Sequence, residues 1–450
     1  MTKKEHPEEL DKSSAVHDEH ADINALALLS SDVKYDAGKL RDLIHNPYAF
    51  GAALLASFGG FSFGYGRSFG VISIILVMSQ FRQQFPETSP DHAHDSFNVG
   101  LMTGMLELGA FIGCLSFPAV ADRISRKWGL TVATFLFVIG ATIQTAAQDY
   151  ATIVAGRFIG GIGVGTLAMG APLYISEISQ LFGEIAQTVA ARREGATGIE
   201  RNLWVDLFRP KYLRKTVVAL AIPFFQQFSG INAFVYYAPT FFEALGQSDN
   251  NSLILSGMVN VCQFVGGVPM MLYLDEVGRR KLAIYGGIAM AIPHLVMAGL
   301  MNRFSSDWAS HQAVGWFCVA LIYLYVLSYS ISYGPLAWVL PAEVFPSSKR
   351  AKGVGAATGM IWLANFIIGV VVPEMLLKLG WGTYLFFGIF CVAAAVFSFF
   401  LVPETSNKSL EQVAAVFGDE LIDEERNLQS RIAGGVWHGY GSHAEKEARV

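Results

Sequence analysis

The chain has 450 residues, of which 52% are hydrophobic, 13% aromatic and only 15% charged, with a net charge of -5. So few charges cannot clothe a soluble surface of this size, which excludes an ordinary soluble globular protein. The net charge itself says little, since most charge sits in the tails and the polar loops; no nucleic-acid partner is expected.

In chain order, residues 1–47 are polar, carry both signs of charge and lack a basic stretch feeding a short apolar core, so no cleaved signal is expected. Apolar windows of about 20 residues, enough to cross a bilayer as helix, follow at 48–78, 97–120, 128–147 and 153–175. A polar stretch over 179–215 comes next, and within it 181–208 has the three-to-four spacing of an amphipathic helix lying on the membrane face. Six further windows occupy 216–245, 253–274, 282–301, 314–340, 352–378 and 381–402, before a polar tail over 403–450. The expectation is an all-α polytopic membrane protein of about ten helices. Its parts would be an N-terminal tail (1–47), a four-helix bundle (48–178), a linker (179–215), a six-helix bundle (216–402) and a C-terminal tail. The lysines and arginines of 123–127, 192–215, 279–281 and 349–352 all fall on one side of this topology, whereas 302–312 holds only Arg303. The positive-inside bias makes that side, and both termini, cytoplasmic.

One signature occurs twice. Asp122, Arg123, Arg126 and Lys127 follow the second window, and Asp275, Gly278, Arg279, Arg280 and Lys281 follow the sixth. Each copy is followed by an element ending in an acid, Pro-Leu-Tyr-Ile-Ser-Glu at Glu177 and Trp-Val-Leu-Pro-Ala-Glu at Glu343. That is an internal repeat, evidence of two homologous halves. After Glu343 come two more spans; after Glu177 comes only the linker, so the first bundle is two spans short.

Chemistry is expected from polar residues inside the spans, since each is costly there. Gln226, Gln227, Asn232, Tyr236 and Tyr237 cluster around Gly230. Gln227 and Asn232 lie five apart, roughly 140° around a regular helix, so they converge on one ligand best if the helix is distorted at Gly230. Amides offer both donors and acceptors to a neutral polyhydroxylated ligand, but they also serve as glue between helices. Asn260 lies in the next span. Trp338 follows Gly334 in a tyrosine-rich span, and an indole suits the C–H face of a sugar ring. Arg67, Glu107 and Arg157 are the ionisable groups nearest mid-membrane; Glu107 could carry a proton or simply pair with an arginine. The run of glycines from Gly156 to Gly165 follows no strand and suits close helix packing rather than a nucleotide. The four cysteines are scattered singly and suit packing rather than a disulfide or metal framework. Asn250-Asn251-Ser252 is a glycosylation sequon in an outer loop.

These residues resemble the sugar porters of the major facilitator superfamily, the fungal hexose transporters most of all. The motifs are Gly-Arg-Phe-Ile-Gly-Gly from Gly156, Pro-Leu-Tyr-Ile-Ser-Glu from Pro172, Gln-Gln-Phe-Ser-Gly-Ile-Asn from Gln226, Pro-Ala-Glu-Val-Phe-Pro from Pro341, Asn365-Phe366 and Pro403-Glu404-Thr405. The resemblance implies two six-helix bundles around a sugar site exposed alternately to either side. It implies that Gln226, Gln227, Asn232, Asn260 and Trp338 contact the sugar, with Phe63 and Gly334 lining the site. It also implies a cytoplasmic charge network of Asp122, Arg126, Arg157, Glu177, Asp275, Arg279, Arg280, Glu343 and Arg350. The partners implied are a monosaccharide and a proton, in a monomer within the plasma membrane, with no cofactor and no metal.

Two departures stand against this. The family continues past its Ser-Glu motif with two further helices, giving twelve; here Ser179 runs into the linker, leaving four plus six. The family's first span reads Phe-Gly-Tyr-Asp-Gln-Gly, and in proton-coupled members that Asp carries the coupling; here it is Phe63-Gly64-Tyr65-Gly66-Arg67. The function expected is therefore hexose transport by alternating access, against a truncated chain that does not transport or a sugar sensor on the same fold. An enzyme is disfavoured, as no nucleophile, base and orienting group occur in motif spacing.

Overall fold

The computed structural model describes residues 75–89, 92, 94–124, 126–183, 203–345, 347–406, 413 and 417, without the side chains of 118–127, 171–183 and a few single positions. The chain divides into two compact units. One gathers Met1–Gly51, Gln180–Gly198 and Glu420–Val450 and lies almost wholly outside the described residues. The other, Ala52–Ser179 with Ile199–Asp419, holds the architecture that follows.

Every regular element among the described residues is helical. In chain order they are α1 (Ser79–Gln84), α2 (Asp95–Ile124), α3 (Arg126–Ala146), α4 (Tyr150–Gly183), α5 (Leu203–Asp206), α6 (Pro210–Phe228), α7 (Ile231–Tyr236) and α8 (Ala238–Ala244). Then follow α9 (Asp249–Val277), α10 (Arg279–Phe304), α11 (Gln312–Ile331), α12 (Tyr333–Val344), α13 (Ser347–Leu379) and α14 (Trp381–Leu401). Nine stretches among the described residues are long and apolar enough to cross a membrane, from Asp95–Phe117 to Trp381–Leu401, and each coincides with an expected window. The window at 48–78 and the amphipathic stretch at 181–208 lie mostly outside the described residues. Large apolar side chains face outward along these helices, including Phe135 and Val138 on α3, Phe264 on α9 and Phe400 on α14. That surface suits hydrocarbon, not water.

Glycine sets how closely α2 and α4 approach. A Cβ on Gly161 would lie 2.1 Å from the Leu106 carbonyl oxygen, and one on Gly165 would lie 2.0 Å from that of Ala110. Reciprocally, Cβ atoms on Gly109 and Gly113 would lie 2.2 and 2.1 Å from the carbonyls of Phe158 and Ile162. The glycine run is thus a helix-packing device, as its apolar setting suggested. The seam between the first and second parts of the chain is α2 on α13, closed by Gly100 against Val370 and by the Cys114 thiol donating to the Gly355 carbonyl at 3.3 Å. All four cysteines are free, and three are buried in packing positions.

Candidate functional site

The span after the linker is a helix broken in the middle. α6 stops at Phe228, Gly230 takes a left-handed φ of 94°, and α7 restarts at Ile231. Only glycine adopts that conformation without strain, and a Cβ there would also lie 2.8 Å from the Phe387 ring. The break rotates α7 relative to α6 and brings Gln227 and Asn232 into contact, with the Asn232 Nδ2 donating to the Gln227 Oε1. A chain of amides results. Gln227 Nε2 donates to Gln226 Oε1 at 3.0 Å, and Gln226 Nε2 donates to the carbonyls of Tyr333 and Gly334 at 3.1 and 3.2 Å. Those carbonyls belong to the start of α12, where a second interruption between Ile331 and Tyr333 separates it from α11.

The distortion expected at Gly230 is therefore present, and it brings the amides together in bonds that also join α6 to α12. Each side chain is buried; Gln226 makes three of these bonds, Gln227 two and Asn232 one, fewer than the four or more an amide can make. Trp338 is half-buried on α12, one turn beyond Gly334, and Asn260 is half-buried on α9 and shares no bond with the amide chain. The span's other aromatics are spent structurally. Tyr323 donates to the Leu255 carbonyl at 3.0 Å, and Tyr333 pairs with Ser398 at 3.0 Å. Phe63 lies outside the described residues.

A second polar group joins the two parts of the chain. Glu107 on α2 accepts from the Tyr236 hydroxyl on α7, and Tyr236 accepts from the Asn365 Nδ2 on α13 at 3.1 Å. All three are buried. Arg157 on α4 donates from Nε to the Met102 carbonyl at 2.6 Å and from Nη2 to the Thr103 carbonyl at 3.2 Å, one turn from Glu107. This corrects its expected place in the cytoplasmic network. Arg157 and Glu177 lie on one continuous helix 20 residues apart, about 30 Å along its axis at 1.5 Å per residue, so they occupy opposite ends.

Two residues of that expected set, Arg279 and Glu343, form an ion pair at the end where α9 meets α10. Arg279 grips Glu343 with Nη2 at 2.7 Å on Oε1 and Nε at 3.2 Å from both oxygens, and Thr405 donates to Oε2 at 2.7 Å. Glu404 takes the backbone N–H groups of Arg279, Arg280 and Ser406 at 2.8, 3.2 and 3.1 Å, capping the N-terminus of α10. Gly278, at φ 88°, leaves room for that carboxylate. Arg280 reaches the Phe399 carbonyl at 2.7 Å, and Arg350 lies half-buried in the first turn of α13. The side chains of Asp122, Arg126, Glu177 and Asp275 fall outside the described ones. The sequence motif Pro-Glu-Thr gave no role to Glu404 or Thr405; an acid just past a helix end, 125 residues from the N-terminus it caps, carries no local signal. Glu404→Ala is expected to lower stability by about 1–2 kcal/mol, with Gln intermediate. Thermal melting in detergent measures this, and a melt unchanged from wild type would refute the cap.

A family model described as "Sugar (and other) transporter" matches residues 52–182 and 180–417. The chain belongs to the sugar transporter family. Among its relatives in this family are the high-affinity glucose transporter of Kluyveromyces lactis, 26% identical with 88% of this chain and 89% of the relative covered. Another is the H(+)/hexose cotransporter 1 of Parachlorella kessleri, 26% identical over 82% and 88%. The fold is that of the major facilitator superfamily. The proton:xylose symporter XylE bound to 6-bromo-6-deoxy-D-glucose superposes with a TM-score of 0.63 at 23% identity, covering 82% of this chain and 99% of the symporter. The inward open form of XylE from E. coli gives 0.60 at 22% identity, covering 82% and 100%. Within this transporter fold the amide chain lies on the broken helix at the junction with α12, and the Arg279–Glu343 pair lies at one end of the bundle.

Proposed function

We propose that this sugar transporter family member carries a monosaccharide, a hexose such as glucose, by alternating access. The observation that carries this is the amide chain Gln226–Gln227–Asn232, assembled at a helix break and bonded to the start of α12, the helix that carries the half-buried Trp338. Amides that donate and accept, together with a flat aromatic face, suit the hydroxyls and C–H face of a neutral sugar. The relatives named for glucose and hexose support that substrate class. Glu107 is the proposed proton carrier. Its carboxylate is buried at a contact between α2 and α7, so gain of a proton changes a bond that spans the two parts of the chain. The Arg279–Glu343 pair acts as part of a cytoplasmic gate, which breaks and reforms as access alternates. We place the protein in the plasma membrane as a monomer, with both termini cytoplasmic.

A second proposal concerns completeness: we infer that the first bundle lacks two of the six helices that the family resemblance implies. The two matches to the family model meet at residues 180–182. The alignment with the K. lactis transporter runs over 504 positions although only 88% of the 450 residues here enter it, so that relative carries many residues without a counterpart in this chain. Glucose uptake separates the two outcomes. Purified full-length protein in liposomes is expected to take up labelled glucose faster than protein-free vesicles, and faster still with an inward proton gradient. Uptake at the protein-free rate would sink the transport proposal for this chain.

A further inference from the structure

The break at Gly230 is held from three helices by residues to which transport assigns no part. His294, in the middle of α10 and fully buried, meets the Ser229 carbonyl through Nε2 at 3.0 Å. A carbonyl only accepts, so in this contact the ring proton is on Nε2. The Ser229 carbonyl stands at the interruption itself: the Gly230 N–H folds back to the Gln227 carbonyl at 3.0 Å, and α7 takes up the helical pattern with the Phe234 N–H on the Gly230 carbonyl at 3.2 Å. His294 thus serves a backbone group that a broken helix leaves exposed.

From α11, Tyr325 pairs with the Ser229 hydroxyl at 3.1 Å, and that hydroxyl itself donates to the Gln226 carbonyl at 2.7 Å. The donor on the Ser229 oxygen is therefore spent, and Tyr325 supplies the proton of the pair. From α14, the Phe387 ring fills the space a side chain at Gly230 would need. Three rings flank His294, with Tyr325 at 4.3 Å, Phe234 at 5.6 Å and Phe387 at 5.9 Å between ring centroids.

An apolar residue would pack in this shell without difficulty. The imidazole instead keeps Nδ1 buried with no hydrogen-bond partner among the described residues. A buried polar atom left unsatisfied is a cost that phenylalanine would avoid, so the Nε2 bond must return something to justify the ring.

We propose that His294 is a positioning residue. Its bond to the Ser229 carbonyl sets the rotation of α7 on α6, which registers Asn232 against Gln227 and so tunes affinity for a polyhydroxylated ligand that His294 never touches. This rests on the transport proposal for its ligand, but not for its structural part.

The test compares His294→Phe with His294→Gln in the full chain in liposomes. A glutamine Nε2 occupies nearly the place of the imidazole Nε2 and can donate to the same carbonyl; phenylalanine fills the space without donating. Phenylalanine is expected to raise KM for glucose uptake about tenfold with the maximal rate within about twofold, and glutamine to restore KM to within about threefold. Backbone hydrogen exchange over residues 229–237 is expected to accelerate in the phenylalanine variant and not in the glutamine one. If His294→Phe does not reach the bilayer, His294→Asn, whose donor is too short to reach Ser229, replaces it with the same expected results. An unchanged KM in the non-donating variant, or equal impairment by glutamine, overturns the proposal. If wild type moves no glucose, the transport proposal fails, and the exchange comparison alone decides the positioning role: acceleration only in the non-donating variant upholds it and equal exchange in both removes it.

Discussion

Gly165→Ala is expected to remove most of the folded protein. The added methyl would sit 2.0 Å from the Ala110 carbonyl oxygen and 2.5 Å from the Ala110 Cα, against backbone on both counts. No rotamer change relieves a clash with a main chain, so α2 and α4 would have to separate along a face where Gly109, Gly113 and Gly161 make the same approach. Separation forfeits packing over several turns, and in a membrane this packing rather than a hydrophobic drive holds helices together. A loss of about 3–5 kcal/mol follows, comparable to the whole margin of many proteins. Recovery of monodisperse protein in detergent and its melting temperature measure it. Gly257→Ala is the control, since a Cβ there meets nothing within 4 Å. If the two variants melt together within a degree or two, close packing of α2 on α4 is wrong.

Gln227→Ala is expected to weaken equilibrium glucose binding about 100-fold, equivalent to about 2.8 kcal/mol at 1.4 kcal/mol per decade. Gln227 is the middle link of the amide chain: its oxygen takes the Asn232 Nδ2 and its nitrogen serves the Gln226 oxygen. Truncation removes the groups offered to the sugar and also strands two buried partners, which cost more unpaired than the bonds they made were worth. Binding of labelled glucose to purified protein reads this directly. Affinity equal to wild type would show that the sugar, if bound, sits elsewhere. Trp338→Ala is a smaller test of the same site, because an indole edge contributes contact area without stranding a polar partner.

Much of this was legible in the order of residues. Nine of the expected spans recur as helices because a bilayer demands about 20 apolar residues with every backbone bond satisfied within the segment, a local requirement. The break at Gly230 was legible for a similar reason: a glycine between two polar residues five apart is the cheapest place to distort a helix. Other features were hidden by distance along the chain. Tyr236 finds Glu107 from 129 residues away, Asn365 finds Tyr236 across a further 129, and Glu404 caps a helix that begins 125 residues earlier. Arg157 illustrates the reverse error, since the family resemblance grouped it with Glu177 in one network, a common location that the length of α4 does not allow.

By itself the sequence determined the solvent, the helical class, the repeat and the residue types able to meet a sugar, because each follows from composition or from spacing within a few turns. The tertiary structure decided which of those residues meet. Which helix faces which depends on backbone approach distances at glycines such as Gly161 and Gly165, and on single hydrogen bonds between distant segments such as His294 to Ser229. Neither leaves a periodic trace in one chain.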